Sequence, residues 1–300
     1  MSPQIYCLGE PLVEFNQQPG GLFKTGFGGD VSNVAVAAAR QGAQAGMITR
    51  LGEDPFGASL IEMWRREGVD LRGVIRAKGE ETGVYFVTHD AEGHHFTYRR
   101  KGSAASRLGL GDLPVGLSGA AIFYASGISL AVSDSMRGAV VEAVKQIHAG
   151  EGLFAFDPNL RTALWPLETA RAVTHEVMRH CDIALPGLDD ARQLTGLQVP
   201  EEIARFYHDL GASVVALTLG ADGVLISTAE QQVTLPGHQV AAKDATGAGD
   251  CFNGAFLAAL LAGLEPVAAA ERANRAAALS TTGYGAVAPI PTLSEVLAAA

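Results

Sequence analysis

The chain has 300 residues, of which 48% are hydrophobic, 18% are charged and 36 are glycine. This composition is typical of a compact fold with many tight turns and excludes a fibrous or disordered chain. The net charge of -10, from 22 Lys and Arg against 32 Asp and Glu, is the opposite of what a general binder of nucleic-acid phosphates needs, so we expect no nucleic-acid partner.

The cysteines and the apolar runs indicate the compartment. Cys7, Cys181 and Cys251 are widely separated and lack C-x-x-C spacing, which predicts buried thiols in a reducing environment. The first ten residues contain no basic segment followed by an apolar one. The most apolar later run, GAFLAALLAG, is about half of the ~20 residues that a bilayer requires. We therefore expect a cytoplasmic protein without membrane contact.

Short apolar runs alternate with helix-length segments along most of the chain. The runs predicted as strands are residues 5–9, 45–50, 120–125, 153–157, 181–185 and 214–219. The segments with helical spacing are residues 31–40, 56–67, 135–148 and 168–180. This alternation predicts an α/β fold with a mostly parallel sheet flanked by helices on both faces.

One region breaks the alternation. The sequence TGVYFVTHDAEGHHFTYRR, residues 82–100, predicts two strands joined by a turn at residues 90–93, with no helix between them. Residues 14–29 are rich in glycine and aromatic side chains and would pair with this hairpin as a small appended sheet. We expect a single domain over residues 1–300 with a β-sheet lid formed by segments 14–29 and 82–107.

The stretch DATGAGDCFNGAF, residues 244–256, combines a turn without bulky side chains with a carboxylate. Gly247, Ala248 and Gly249 would expose backbone N–H groups at the start of an apolar helix over residues 251–262, and such a terminus binds anions. Asp250 beside this site could accept a proton from an attacking hydroxyl. The alternative is that Asp250 is only a helix N-cap and the glycines form an ordinary turn.

Two other phosphate-binding motifs do not fit the chain. A Walker loop requires Gly-Lys before Ser or Thr, and this dipeptide does not occur in the sequence. The string GYGAVA, residues 283–288, has dinucleotide-type glycine spacing but runs into Pro289 and Pro291 where a helix should begin. Hydride transfer is therefore not expected.

Context favours the catalytic interpretation of Asp250. Six segments, in this order along the chain, resemble motifs of the ribokinase-like family of carbohydrate kinases, also called the PfkB family. They are GEPLVEF (9–15), GGDVSN (28–33), LGEDPFG (51–57), DPNLRTALW (157–165), LTLGADG (217–223) and DATGAGD (244–250).

The resemblance implies a ribokinase-like fold and an ATP-dependent sugar kinase that uses Mg²⁺. It implies that Asp250 is the base for the sugar hydroxyl, with the Gly247, Ala248 and Gly249 amides as the anion hole for the γ-phosphate and Arg161 between sugar and phosphate. The residues that match the family's nucleotide site are Asn159, Thr218, Gly220, Gly223, Asp244, Thr246, Gly247, Gly249 and Asn274.

The sequence departs from the family pattern at two positions. Ala245 stands where Thr or Pro is more common, which is a small change. The family's Asn-x-x-Glu segment, which helps to organise Mg²⁺ and phosphate, is represented here by Gly187 and Asp190 in PGLDDAR. We expect any Mg²⁺ to be held mainly through water and the ATP phosphates, with Asp190 contributing through water.

Two segments indicate the substrate class. GEPL near the N-terminus and YRRKGSAASRL at residues 98–108 resemble the 2-keto-3-deoxygluconate kinases of the family. A sugar acid carries a carboxylate, and a buried carboxylate needs a cationic partner, for which Arg100 is available. Strand alternation places Arg99 on the opposite face, as an edge residue. The residues that the resemblance assigns to the sugar are Gly29, Asn33, Tyr85, Tyr98, Arg100, Arg161 and Asp250.

Alternatives remain open from the sequence. The substrate could be a neutral ketose such as fructose or tagatose, and the chain could be a non-catalytic sugar- or nucleotide-binding protein on the same fold. The lid predicts a homo-oligomer.

Overall fold

A computed structural model describes residues 3–90 and 93–299. Within these ranges the chain forms two separate sheets and the helices that cover the larger one. The strands in chain order are β1 Ile5–Leu8, β2 Leu12–Gln17, β3 Phe23–Gly28, β4 Ala45–Gly52, β5 Asp70–Ala77, β6 Val84–Asp90, β7 Gly93–Arg99, β8 Ile122–Ser126, β9 Leu153–Asp157, β10 Ile183–Ala184, β11 Val214–Thr218, β12 Gly223–Ser227 and β13 Gln232–Pro236.

The larger sheet has the strand order β13-β12-β11-β10-β9-β8-β1-β4-β5. The seven strands from β11 to β5 in this order pair parallel, and β12 and β13 close one edge as an antiparallel pair. The predicted, mostly parallel sheet is therefore confirmed. β5 and the antiparallel pair were not expected from the sequence.

Helices cover both faces of this sheet. They are α1 Asp30–Arg40, α2 Pro55–Arg66, α3 Gly127–Ala131, α4 Asp134–Ala149, α5 Leu167–Met178, α6 Leu188–Thr195, α7 Pro200–Leu210, α8 Ala248–Leu261, α9 Pro266–Ser280 and α10 Leu293–Ala298. The two faces have separate cores because side chains alternate along each strand: in β1, Ile5 and Cys7 pack with α1, α8 and α9, while Tyr6 and Leu8 pack with α4 to α7.

Helices α1 and α8 lie unusually close together because Gly254 has no side chain. A Cβ atom on Gly254 would lie 2.5 Å from the Val34 carbonyl oxygen and 2.6 Å from Ala37 Cβ, distances that a real side chain could not occupy. Both helices begin at the same edge of the sheet as the carboxyl ends of β1 and β9. Their N-terminal turns thus meet at one place.

The smaller sheet has the order β3-β2-β6-β7. β6 and β7 form the predicted hairpin, and β2 joins it through a parallel pairing with β6, with β3 as the other edge strand. The pairing of the two appended segments is confirmed, although β2 begins at Leu12, earlier than expected. Ala91 and Glu92 of the predicted turn lie outside the described residues.

Cys7, Cys181 and Cys251 are free and buried, as the sequence predicts. Across residues 3–90 and 93–299, no helix is both long and apolar enough to span a bilayer.

Candidate functional site

The site is built around Asp250 in the first turn of α8. The helix begins at Ala248, three residues before the predicted start, and its N-cap is Gly247, which adopts a left-handed conformation with φ of 76°. Asp250 is therefore not the N-cap. Instead its Oδ2 accepts a hydrogen bond of 2.8 Å from Asn33 Nδ2 on α1.

Burial raises the pKa of Asp250 well above its usual range, and the negative charge of Asp30 raises it further, while the bond from Asn33 lowers it. A carboxylate with a raised pKa accepts a proton more readily than an ordinary aspartate. Such a group suits general-base chemistry near neutral pH.

The turn before α8 presents backbone donors beside Asp250. The Ala248 N–H donates to the Ala245 carbonyl at 3.1 Å, so this amide is already engaged. The Gly249 and Asp250 amides have no acceptor elsewhere in the described chain. They are the orphan donors of a helix N-terminus, and together with the helix dipole they form a place for an anion.

Two cavities lie side by side here, and the first of them is lined by this turn. The first has a volume of about 250 Å³, and the second, of about 310 Å³, shares Gly187, Asp190 and Thr218 with it. The first is lined by Asp157, Asn159, Arg161, Leu185, Gly187, Asp190, Thr218, Ala245, Gly247, Ala248, Gly249, Asp250 and Asn253. The second is lined by Gly187, Leu188, Asp189, Asp190, Thr218, Leu219 and Gly220. An elongated ligand could extend from one cavity into the other.

Arg161 and Asp190 are part of the wall of the first cavity, which the start of α8 also lines. Arg161 is half exposed, and its guanidinium lies 3.7 Å from the Asp190 carboxylate. Asp190 Oδ2 also accepts a bond of 2.9 Å from the Leu160 N–H, and burial raises the pKa of this carboxyl. Asp190 therefore positions the loop that carries Arg161.

A hydrated Mg²⁺ fits this wall better than a directly ligated ion. The described residues contain no group of three or more carboxylate, His or Cys side chains that could hold a metal. Gly187 contributes no oxygen ligand from a side chain, and one oxygen of Asp190 is already bonded to the chain. Mg²⁺ keeps several waters and binds through phosphate oxygens, so Asp190 would contact it through water.

Several of the predicted nucleotide residues lie away from the cavity walls. Asp244 Oδ1 accepts from Thr246 N at 2.9 Å and from Thr246 Oγ1 at 2.6 Å, and Asp244 Oδ2 accepts from Gly285 N at 2.8 Å. Asn274 Nδ2 donates to the Pro236 carbonyl at 2.7 Å. Gly223, with φ of 110°, allows the close pairing of β12 with β13. In this structure these groups organise loops around the site.

The predicted sugar residues of the smaller sheet lie near the end of β1. The Tyr85 hydroxyl donates to Glu14, and the Tyr85 ring stacks on Tyr98 with a centroid separation of 5.6 Å. Arg100 lies over the Tyr98 ring and forms an ion pair with the buried Glu10. Arg100, which the sequence offers as the cationic partner of a substrate carboxylate, therefore already has an anionic partner within the chain.

Two further predicted residues, Gly29 and Asn33, lie at the N-terminus of α1. Gly29 adopts a φ of 95°, and a Cβ there would lie 2.4 Å from the Glu10 carbonyl oxygen, so only glycine fits. Asn33 is 4% exposed, and its Oδ1 is buried without a hydrogen-bond partner among the described residues.

Sequence reasoning did not assign Asp30, Asp157 or Asn253 to the site. Asn253 Nδ2 donates to Asp157 Oδ2 at 2.9 Å, and Asn159 Nδ2 donates to Asp30 Oδ2 at 3.0 Å. Burial and the nearby Asp190 carboxylate raise the pKa of Asp157 to about 7. The spacing of Asp and Asn in GGDVSN, DPN and GDCFN was the signal that could have indicated these residues.

Comparison with known proteins gives a consistent result. Residues 10–293 match the model of the pfkB family carbohydrate kinases. The chain is 36% identical to a 2-dehydro-3-deoxygluconokinase of Thermoproteus tenax, over 98% of this chain and 93% of the relative. It is 32% identical to fructokinase-1 of Zea mays, over 98% and 96% of the two chains.

Among solved structures, the chain resembles a putative ribokinase II from E. coli that was determined in complex with ATP and Mg²⁺. The TM-score is 0.92 at 28% identity, and the match covers 99% of both chains.

The two glycines of the turn differ in what they contribute, which gives a test. A Cβ on Gly249 meets nothing within 4 Å, whereas Gly247 has φ of 76° and a Cβ there would lie 3.0 Å from Ala286. We expect Gly249→Val to melt within about a degree of wild type, and Gly247→Val to melt several degrees lower because of a left-handed penalty of about 1–2 kcal/mol. Differential scanning calorimetry checks this. Equal destabilisation by both variants would mean that Gly249 is needed for folding rather than for the site.

Proposed function

The chain belongs to the pfkB family of carbohydrate kinases, and from this premise we propose that it transfers the γ-phosphate of ATP to a terminal hydroxyl of a sugar acid, 2-keto-3-deoxygluconate. The observation that carries the proposal is the placement of Asp250 beside helix N-terminal amides that have no acceptor in the described chain, in a cavity that adjoins a second one. A carboxylate base has no use in a protein that only binds sugar or nucleotide.

Asp250 would act as the general base. Asn33 holds the carboxylate by one oxygen, which leaves the other for the sugar hydroxyl. Asp250 takes the hydroxyl proton as the oxygen attacks the γ-phosphorus, and the bond from that phosphorus to the bridging oxygen of ADP breaks. The unpartnered Asn33 Oδ1 can accept a bond from a sugar hydroxyl and so fix its direction.

The phosphate charge would be stabilised by the turn and by Arg161. The Gly249 and Asp250 amides would donate to the developing negative charge, and Arg161 lines the same cavity and would approach the same charge. Bound Mg²⁺ supplies charge neutralisation on the phosphates, with Asp190 as a contact through water. Thr218 and Gly220 would line the path of the nucleotide in the second cavity.

The sugar-acid proposal is supported by the 2-dehydro-3-deoxygluconokinase relative and by the geometry of Arg100. One nitrogen of Arg100 pairs with Glu10, while Arg100 Nε is buried without an acceptor in the described chain. A guanidinium has five donors, so an anionic partner on one edge leaves another edge for a ligand carboxylate. Because one relative is a fructokinase, the second candidate substrate is a neutral ketose such as fructose or tagatose.

We also propose that the smaller sheet acts as a lid on a single domain, through segments 14–29 and 82–107. Its own core is small, since Leu12, Tyr85 and Val87 form a separate buried cluster within it. The buried free thiols favour a reducing, cytoplasmic setting.

The lid is also the surface through which we propose that two copies associate. Phe96 and Tyr98 lie on the same face of β7, and each is 44% exposed. A second copy could cover this aromatic face, which the four-stranded sheet does not bury by itself.

The substrate prediction concerns both the wild-type enzyme and Arg100. In an ADP-release assay, we expect 2-keto-3-deoxygluconate to give a far higher kcat/KM than fructose, tagatose or ribose. Arg100→Met should reduce transition-state stabilisation by roughly 2–5 kcal/mol with the sugar acid and change it little with a neutral sugar. The reason is that only the sugar acid has a carboxylate that Arg100 can bind.

The matched control is the double variant Glu10→Gln with Arg100→Met, which avoids leaving the Glu10 carboxylate buried without its cation. We expect the same loss with the acid from this variant. Equal losses on acid and neutral sugars would show that Arg100 supports the lid rather than the substrate. A wild-type preference for a ketose would overturn the sugar-acid proposal and leave the kinase assignment intact.

The lid prediction concerns association. Phe96→Glu places a charge on the exposed aromatic face, and we expect it to convert a dimer into a monomer in sedimentation velocity. Val199, which is 45% exposed at the start of α7, offers a control of similar exposure, and Val199→Glu should leave the dimer unchanged. A wild-type protein that sediments as a monomer, or a Phe96→Glu variant that stays dimeric, would contradict association through the lid.

A further inference from the structure

Three elements of the site each carry one aspartate and one asparagine, and each asparagine serves the aspartate of a neighbouring element. The result is a closed set of hydrogen bonds, which we call the amide–carboxylate ring. Its bonds run from Asn33 of α1 to Asp250 of α8 (2.8 Å), from Asn253 of α8 to Asp157 of β9 (2.9 Å), and from Asn159 after β9 to Asp30 of α1 (3.0 Å).

We infer that Asp30 is a positioning residue for the phosphoryl transfer: it closes the ring that orients Asp250 and places a second carboxyl group near the base that takes the proton from the sugar. Asp30 is the first residue of α1 and is 7% exposed. Within the described residues it lines neither cavity. It therefore acts through Asp250 rather than on a ligand.

Asn159 has an uncommon backbone conformation that allows it to take part in the ring. Asn159 has φ of 30°, in the left-handed region that non-glycine residues rarely adopt, and Asn is among the side chains that tolerate it best. In this conformation its own N–H donates to Asp157 Oδ1 at 2.9 Å while its side chain reaches Asp30. One residue thus joins two of the three carboxylates.

The charges around Asp250 come from each element packed against it. The carboxyl groups of Asp30 on α1 and Asp157 on β9 raise the pKa of Asp250, and Arg161 in the loop after β9 lowers it. Tyr124 on β8 is neutral, because its pKa is raised well above the usual value by burial and by the same carboxylates. Of the charged neighbours, Asp30 has the largest effect on Asp250, after burial itself.

The inference rests on the proposed kinase chemistry but not on the identity of the sugar. The experiment is the pH profile of kcat/KM at saturating ATP with whichever sugar is turned over fastest. Activity requires ionised Asp250 and falls as the pH drops through its pKa. Asp30→Asn removes a like charge and lowers that pKa, so we expect the acidic limb to move down by about one pH unit. Asparagine keeps the shape and can still accept from Asn159.

Asp134→Asn is the control, since it removes one charge at a side chain that is 93% exposed on α4. We expect no movement of the acidic limb in this variant. A uniform loss of activity in Asp30→Asn at all pH values, without a shift of the limb, would show a structural role only and overturn the inference.

A second measurement is independent of activity and so of the proposed function. The measurement is a carbon-13 NMR titration of the aspartate carboxyl groups in the free protein. The Asp250 resonance is assigned by its loss in Asp250→Asn. We expect the pKa of Asp250 to be lower in Asp30→Asn than in the wild type. If Asp30→Asn does not fold, Asp157→Asn tests the same ring, and we expect a smaller shift in the same direction because Asp157 is only partly ionised near pH 7. An unchanged Asp250 pKa would overturn the inference even if every sugar failed as a substrate.

Discussion

The close contact between α1 and α8 is the constraint on which the site depends. Gly254 lets the two helices approach until its Cα lies against the Val34 carbonyl and the Ala37 methyl group of α1. This approach brings Asn33 to 2.8 Å from Asp250 and aligns the N-terminal turns of both helices at the carboxyl edge of the sheet. Open α/β sheets bind their ligands at this edge. Without the contact, Asp250 would be an ordinary aspartate in a first helical turn.

The site places groups that can bind an anion and groups that can accept a proton within a few residues of each other in the sequence. A protein with a net charge of -10 must bind a polyanion and also hold an anionic base beside it. The backbone amides of the turn and Arg161 provide the positive side of the site. The carboxyl groups of Asp30, Asp157 and Asp250 each accept a hydrogen bond from an asparagine amide, which satisfies the acceptor without neutralising charge. In the proposed mechanism this negative charge assists proton transfer to Asp250.

The sequence was most informative where structure follows from local pattern. The strands, the helices and the hairpin could be recognised because each pattern depends on residues that are close in the sequence. The turn Gly247–Asp250 could be recognised because its backbone donors and its carboxylate belong to consecutive residues. The ring could not be predicted, since Asn33 and Asp250 are 217 residues apart and their contact depends on helix packing. The Arg100–Glu10 ion pair could not be predicted for the same reason. Because of this pair, the charge of Arg100 has an anionic partner within the chain as well as any ligand carboxylate. The sequence predicts a start of α8 three residues too late, because glycine has a low helix propensity. In the structure Gly247 is the N-cap and Gly249 lies in the first turn of the helix.

The central claim is that Asp250 is the base of a kinase, and Asp250→Asn tests it most directly. Asparagine preserves the shape and can donate to the unpartnered Asn33 Oδ1, so the helix contact is retained while the proton acceptor is lost. Turnover in the ADP-release assay should fall by roughly 10²–10⁴ while ATP affinity in calorimetric titration stays close to wild type. A variant that folds, binds ATP and retains near-full turnover would contradict the account.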